Sequence, residues 1–453
     1  MESVALHNLG CKVNGYEMEI MQHMLQEKGY KIVPFEEKAD IYIINTCTVT
    51  NIADRKSRQM LHRAKKKNPE AVVVAAGCYV QTGEDTIEKD LAIDLIIGNN
   101  RKKDIVAILE EYLTARNKGD ALTDKSLQHR TVIDINHTKE YEEMFTPPTM
   151  PALTDNSWEG AHTRAYVKIQ DGCNQFCSYC IIPYARGRVR SRREEDILLE
   201  VSELVKRGCK EIVLTGIHIS SYGVDRGGSE LLRLLCKLDA VDGLKRIRLG
   251  SLEPGIITEE FVQKLSLLQK ICPHFHLSLQ SGCDETLMRM NRHYTTGEYL
   301  EKVALLRRYF IRPAITTDVI VGFPGETEEE FACTENFLDR VHFYEMHIFK
   351  YSKRQGTRAA SMKNQVPEEV KSERSNRLMQ LERRMSKEYR QSYIGEEVEM
   401  LFEEAKAING HTYQIGHTGE YVKVAKETKD NLSNCLMTEK IAAFLTDDIL
   451  VTV

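Results

Sequence analysis

The 453-residue chain lacks any apolar run long enough to cross a bilayer; its longest, such as AVVVAAG at 71–77, are of strand length. Its first residues, MESVALHNLGCKVN, lack a basic segment followed by an apolar one, so no secretory leader is expected and the protein is expected to be cytoplasmic. Gly, Pro and Ser are not enriched, which argues against extended disorder. No GxGxxG follows the first expected strand, so nothing supports a dinucleotide site. Finally, Cys173, Cys177 and Cys180 crowd into eight residues, yet no further cysteine follows until Cys209. A four-thiolate zinc or iron–sulfur site would be one ligand short there.

What is present is globular in bulk, with 42% apolar and 28% charged residues. The length implies about three domains. Twelve cysteines in a reducing compartment read as buried thiols, metal ligands or catalytic thiols rather than disulfides. Cys209, Cys236, Cys272 and Cys333 fall where apolar core positions are expected. The net charge of −5 hides two basic blocks: RKSRQMLHRAKKK at 55–67, with seven Lys or Arg and no acid, and RGRVRSRR at 186–193, with five Arg. Two such blocks on a mildly acidic chain suggest an anionic partner, although a solvated helix face reads the same way.

Over the first hundred residues strands (VALHNL, DIYIINT, AVVVAAG, DLIIG) alternate with helices, one running through about Leu113. That order predicts a parallel sheet covered on both faces. Periodicity fades at 116–160, where MFTPPTMPALTDNSWEG marks a linker. A second alternating series over 161–390 has six strand-and-helix units and fits an open (β/α)₆ partial barrel. The last segment, 391–453, reads as short alternating strands and hence a small all-β barrel. The fold class is α/β, with domains at 1–115, 161–390 and 391–453.

Three cysteines of the first domain, Cys11 (LGC), Cys47 (NTC) and Cys78 (AGC), each come directly after an expected strand. Loops after parallel strands open at one sheet edge, where ligands bind, so these thiols are expected to converge. Three thiolates without a fourth suggest an iron–sulfur cluster with one iron open. The second trio has CxxxCxxC spacing. That spacing matches one helix face, but Gly172, Asn174 and Pro183 favour a loop. A zinc reading would need His162 or His218, neither at a usual spacing. The end of the first barrel strand is an active-site position.

CNQFCSYC resembles the signature of the radical S-adenosylmethionine superfamily. LGCKVNGYEME with NTC resembles the methylthiotransferase family within it, and the C-terminal barrel resembles that family's RNA-binding TRAM domain. Together the matches span nearly the whole chain. Prenylated-adenosine enzymes of the family usually show GCQMN with a following Asp-Ser pair; ribosomal-protein enzymes show GC-x-KN with Asp-Ser-Glu. LGCKVNGYE, NTCTVTNIADRKSRQ and SLQSGCDETLMRMNRHY are most similar to the branch acting on N6-threonylcarbamoyladenosine beside the tRNA anticodon.

The resemblance implies two [4Fe–4S] clusters and S-adenosylmethionine as cofactors. The cluster on Cys173, Cys177 and Cys180 would bind S-adenosylmethionine at its open iron and generate a radical. The cluster on Cys11, Cys47 and Cys78 would carry sulfur methylated by a second S-adenosylmethionine. Such chemistry is needed because no side chain breaks the C2–H bond of an adenine. The resemblance further implies cofactor contacts at Tyr179 (against adenine), Thr215, Gly216, Ser251, Glu253, Ser278, Gln280, Arg292 (to the carboxylate) and Asp318. Asp318 stands where the GxIxGxxE pattern has its first glycine. Strand-end polar groups also cap helices, so that reading stands beside this one. Asn14 faces the first cluster, the substrate or a turn; Arg186, Arg188 and Arg190 are expected to meet the substrate carboxylate or phosphates. Partners are expected to be the tRNA anticodon loop, whose bases are read unstacked, and a low-potential flavodoxin- or ferredoxin-type electron donor.

From Ile394 to Val453, five Lys stand against eleven Asp or Glu, odd for an RNA clamp. Either the lysines share one face or this barrel binds weakly. Two rival readings remain: the same chemistry on isopentenyl-adenosine tRNA or a ribosomal-protein aspartate, and a non-catalytic RNA-binding iron–sulfur sensor.

Overall fold

In a computed structural model, which describes residues 2–83, 87, 90–118, 129–145 and 163–453, the apolar runs of the first domain form one parallel sheet. Its strands are β1 (Ser3–Asn8), β2 (Lys31–Val33), β3 (Ile41–Thr46), β4 (Val72–Gly77), β5 (Leu95–Ile97) and β6 (His129–Thr131), ordered β2-β1-β3-β4-β5-β6. The runs are continuously apolar because both faces are covered. Ile41, Ile43, Val72 and Val74 pack under α1 (Lys12–Glu27) and α4 (Ile105–Lys118). Tyr42, Ile44, Val73 and Ala75 pack with Leu61 and Ala64 of α2 (Asn51–Lys67). A short α3 (Cys78–Thr82) follows β4.

The stretch expected to be a linker is more structured than its fading periodicity implied. α4 continues to Lys118, and β6 adds an edge strand to β5. A three-residue edge strand gives no alternation to read. The remaining expected linker residues, 119–128 and 146–160, lie outside the described residues, as does His162.

Six parallel strands then build the open barrel: β7 (Arg164–Asp171), β9 (Glu211–Gly216), β10 (Arg246–Leu249), β11 (His274–His276), β12 (Ala314–Val321) and β13 (Glu345–Lys350). A two-residue β8 (Arg190–Ser191) runs antiparallel to β7. The bridges Ile247–Ile271 and Leu252–Leu277 join the two halves. Val167, Ile169, Ile212, Leu214, Ile247, Phe275, Ile315 and Val319 face the helices in one large core. Strand alternation turns the complementary set inward, and that set is polar: Arg164, Lys168, Glu211, Thr215, Arg248, His274, His276, Thr316 and Asp318.

Five strands, β14 (Glu397–Ile408), β15 (His411–Thr418), β16 (Lys423–Glu427), β17 (Leu436–Phe444) and β18 (Leu450–Thr452), close the C-terminal barrel. It plugs the end of the large barrel where the strands begin. The Tyr421 ring lies between the guanidiniums of Arg164 and Arg248, each 4.7 Å from its centroid. Arg248 donates to the carbonyls of Gly419 (2.8 Å) and Thr418 (3.3 Å).

Two of the four cysteines expected in the core are not there. Cys209 and Cys272 are buried, but Cys236 and Cys333 are exposed. Each sits on the outer side of a helix, Leu231–Asp239 and Glu328–Val341, whose leucines and phenylalanines face the core.

Candidate active site

The strand order reverses between β1 and β3, and a parallel sheet binds its ligands at such a switch point. Cys11 caps α1 directly after β1, Cys47 follows β3, and Cys78 opens α3 after β4. Close approach of the first two depends on Gly10, whose φ is +107°; a Cβ there would lie 2.8 Å from Cys47 Sγ. Cys11 is open to solvent at the N-terminus of α1, whereas Cys47 and Cys78 are buried. Burial raises the Cys11 pKa and pushes that of Cys47 up to about 11. As bare thiols neither is an effective nucleophile at neutral pH; iron ligation is the chemistry that would deprotonate them.

Behind this strand-end trio lies a buried ionic network. Arg186, fully buried, donates from Nε to Cys78 Sγ (3.2 Å) and from Nη2 to Asn14 Oδ1 (2.5 Å). Its Nη1 reaches Glu17 (2.5 Å) and Asp171 (3.1 Å). Lys102 and Lys168 also bind Glu17, and Lys168 binds Asp171 at 2.6 Å. Burial alone would raise the Glu17 pKa, but Arg186, Lys102 and Lys168 hold it well below the usual carboxylate range. Arg190 lies 3.8 Å from Asp171. Three buried carboxylates, Glu17, Asp171 and Glu142, thus stand among four buried cations beside the thiols. A surplus of buried positive charge needs an anion, and thiolates around a cluster would supply it. The donor set fits.

This network corrects two expectations. Arg186 and Arg190 are buried and committed inside the protein, so neither is open to substrate. Arg192 of the same block is buried against Glu200 and Glu143. Arg186 ties the barrel to the first domain, whereas Arg188 and Arg193 stay exposed. Asn14 is buried too, holding the Leu9 (2.7 Å) and Thr46 (3.0 Å) carbonyls together beneath the cysteines. Arg188 remains exposed, its guanidinium 4.5 Å over the Phe176 ring. The sequence offered no sign of Lys102 and Asp171, whose partners lie far along the chain or on another element.

The second trio sits in a loop after β7, not on a helix. Gly172 has φ +71°, and a Cβ there would meet the Arg188 carbonyl at 1.9 Å, so glycine is required. The loop is pinned by Cys173 N–H to Gly187 O (3.0 Å), Ser178 N–H to Met290 O (2.9 Å) and Gln175 N–H to Cys173 Sγ (3.4 Å). Burial pushes Cys173 up to about 11 and Cys180 up to about 12, each raised further by its neighbouring cysteines. Arg292 donates to Cys177 Sγ (3.2 Å) and forks onto Glu253 (2.6 and 2.8 Å). His218 faces Glu253 at 3.7 Å and is held by Ser221, not by a cysteine, which removes it as a zinc ligand. Among the described residues, the set drawn tight enough for a single ion is His276, Asp318 and His347, with ligand atoms within 4.8 Å of one another. Neither cysteine trio is drawn so tight, as suits the wider spacing of a multi-iron cube.

The remaining expected contacts line the mouth of the barrel. Tyr179 packs edge-on to Phe323, centroids 6.4 Å apart. Thr215 is buried near the end of β9, Gly216 closes that strand, and Ser251 is exposed just past β10. Ser278 and Gln280 extend β11, and the Gln280 N–H bonds the Asp318 carbonyl (2.9 Å). Asp318 faces His276 at 3.4 Å, and His276 is fixed by Thr316 Oγ1 (3.1 Å). His347 stacks on His276 with centroids 5.9 Å apart.

The two trios are joined by one short element. α5 (Ile182–Arg186) starts two residues after Cys180 and ends in the arginine that grips Cys78. At about 1.5 Å per residue its path is only about 6 Å. The Asn99 side chain bonds both the Ala185 carbonyl (2.8 Å) and Cys78 Sγ (3.5 Å), closing the link.

On the outside, α2 turns Arg55, Lys56 and Lys66 to solvent. Lys65, in contrast, pairs with Asp94 and Arg63 with Glu36. In the C-terminal barrel Lys406 and Lys423 share the wall of a 450 Å³ cavity with Glu345, Glu382, Glu403, Glu404 and Asp448. That is an acidic environment, not a basic face.

Residues 167–338 match the radical SAM superfamily, and residues 3–98 match an uncharacterized protein family, UPF0004. The chain is 42% identical over 446 residues to the threonylcarbamoyladenosine tRNA methylthiotransferase MtaB of Bacillus subtilis, covering 98% of this chain and 94% of that protein. It is 40% identical to the protein of the same name from Aquifex aeolicus, covering 93% and 98%. It is also 39% identical to the tRNA-2-methylthio-N(6)-dimethylallyladenosine synthase of Moorella thermoacetica, covering 87% and 85%. Among solved structures, the radical S-adenosylmethionine methyltransferase TsrM of Kitasatospora setae shares the fold, with TM-score 0.54, 18% identity and 77% and 75% coverage.

Proposed function

The chain belongs to the radical S-adenosylmethionine methylthiotransferase family, and on that premise we propose that it methylthiolates C2 of N6-threonylcarbamoyladenosine next to the anticodon of tRNA. The observation that carries this reading is the pairing of two incomplete cysteine trios across one short helix. One trio alone would suffice for a radical enzyme; a second beside it, in a solvent-reaching cleft, suits delivery of sulfur. Two [4Fe–4S] clusters and S-adenosylmethionine, when bound, supply the means to take the C2 hydrogen, the methyl group and the sulfur that replaces it.

The chain's own residues do the rest. Cys173, Cys177 and Cys180 would hold one cluster and Cys11, Cys47 and Cys78 the other. Arg186 donates to Cys78 and Arg292 to Cys177, each lowering the charge carried by a ligating sulfur. Glu253, Thr215, Ser278 and Gln280 ring the barrel mouth and orient the cofactor; Tyr179 offers an aromatic edge for its adenine. Hydrogen bonds fix the Cys173 loop before any ligand arrives, so little ordering cost falls on binding. Arg188 and the outward Arg55, Lys56 and Lys66 are assigned to phosphates, and the acidic C-terminal barrel contributes little to RNA affinity. A flavodoxin- or ferredoxin-type protein would supply electrons.

The test is anaerobic reconstitution with iron, sulfide, dithionite and S-adenosylmethionine, followed by mass spectrometry of nucleosides from incubated tRNA. The expected product is the methylthio derivative of threonylcarbamoyladenosine. Methylthiolation of dimethylallyl-adenosine alone would move the substrate to the other branch. A fully loaded protein that makes no 5′-deoxyadenosine would overturn the enzyme reading.

A further inference from the structure

Lys12 has no task in either trio, yet it directly follows Cys11 in the first turn of α1. Its side chain is exposed and makes no hydrogen bond or ion pair among the described residues. α1 packs on β7 and β9 of the barrel, whose inward polar set includes Arg164, Arg248 and Asp318. Both arginines are occupied: Arg164 pairs with Glu403 at 3.3 Å, and Arg248 with Glu211 at 2.8 Å and the floor carbonyls. Asp318 is turned toward His276. Lys12 is therefore a cation without a matched anion, one residue from a ligand of the sulfur-bearing site. An unpaired ammonium is favoured by a ligand that brings the anion.

The reacting base supplies the geometry. C2 and C6 of adenine flank the same ring nitrogen, N1, and C6 carries N6. Whatever brings C2 to the sulfur held near Cys11 also brings the N6 substituent to the residues beside Cys11. In threonylcarbamoyladenosine that substituent ends in a carboxylate. We propose that Lys12 is the counter-ion for this carboxylate and so selects the substrate. The proposal rests on the function given above and adds the residue that reads the substituent. A dimethylallyl group has no charge to offer and would leave the ammonium unmatched, which is the strongest form of discrimination a polar site can apply.

The experiment uses three anticodon stem-loop RNAs of one sequence, carrying the threonylcarbamoyl acid, its methyl ester or a dimethylallyl group. Binding to the anaerobically reconstituted full chain is read by fluorescence anisotropy. Wild type is expected to prefer the acid over the ester by about 10- to 100-fold, the worth of one charge-assisted hydrogen bond. Lys12→Gln should bind the acid and the ester alike, while Lys12→Arg keeps most of the preference. Absence of the acid preference in wild type overturns the proposal without reference to any variant, as does a Lys12→Gln protein that keeps the preference in full. Either result with methylthiolated product still formed on the acid substrate leaves the function standing and removes only Lys12. Failure of wild type to modify the acid substrate at all removes the function itself.

Discussion

The two cysteine trios face the same cleft but are assembled in opposite ways. The loop trio comes from eight consecutive residues, held by hydrogen bonds to nearby Gly187 and, across the barrel, to Met290 and Arg292. The strand-end trio comes from three separate βα turns and is backed by ion pairs reaching across two domains. The loop trio is thus contiguous in sequence and seated on the barrel. The strand-end trio is gathered by one parallel sheet, and Arg186 of the barrel couples the two. A radical source can be local; a site that hands sulfur to a large substrate is better placed where two domains meet.

The largest effects should come from removing a ligand in each trio. Cys177→Ala should abolish both 5′-deoxyadenosine and methylthiolated nucleoside. Cys47→Ala should abolish only the second, leaving 5′-deoxyadenosine formation in place. If both variants lose 5′-deoxyadenosine equally, the division of labour is wrong. Next comes the network that separates the assemblies. Arg186→Met leaves Cys78 Sγ and Asn14 Oδ1 without their donor and removes one of three cations on Glu17, a loss of roughly 1–3 kcal/mol for unmet buried partners. Thermal melts should show a drop of several degrees, and iron analysis should show loss from the strand-end trio with the loop trio retained. Equal iron loss from both would mean that the trios are not independent.

A smaller effect is expected at the loop trio's own arginine. Arg292→Lys keeps the charge but loses the fork onto Glu253. Affinity for S-adenosylmethionine should fall about tenfold, worth about 1.4 kcal/mol, with RNA binding unchanged; isothermal titration and anisotropy check the two halves. The smallest effect lies far from both trios, at the barrel floor. Burial, with Arg248 and His276 adding to it, holds His274 well below the ordinary histidine value of 6.5. Burial also lowers His417, against the pull of Glu403. The unfolded chain therefore binds more protons than the folded one. The stabilising contribution is complete above about pH 6.5 and is lost as the pH falls below it. Melting temperature should decline from pH 7.5 to 5.5, and His274→Gln should flatten that slope.

The loop trio was legible in the sequence because its chemistry is contiguous: spacing, flanking Gly172 and Asn174, and its place after a strand are all local. The strand-end trio was legible for a different reason. In parallel sheets, residues just past the strands converge as a rule, so Cys11, Cys47 and Cys78 could be placed together without knowing the strand order. The arginine block was misread because charge in a sequence says nothing about what faces it. Arg186, Arg190 and Arg192 look like a nucleic-acid patch until Glu17, Asp171, Glu143 and Glu200 close around them. Cys236 and Cys333 were misplaced because helix patterns fix an apolar face without fixing which small residues fall on it.

The sequence by itself determined the elements, their order and both sets of thiols, because strand alternation, turn glycines and motif spacing act over a few residues. Only the tertiary structure decided which charges are spent in the interior and which remain open. That depends on which domain surfaces meet, and a charge is paired or free only with respect to groups that folding brings beside it. Hence Arg186, the last residue of α5, became a strut, while Lys12 was left exposed.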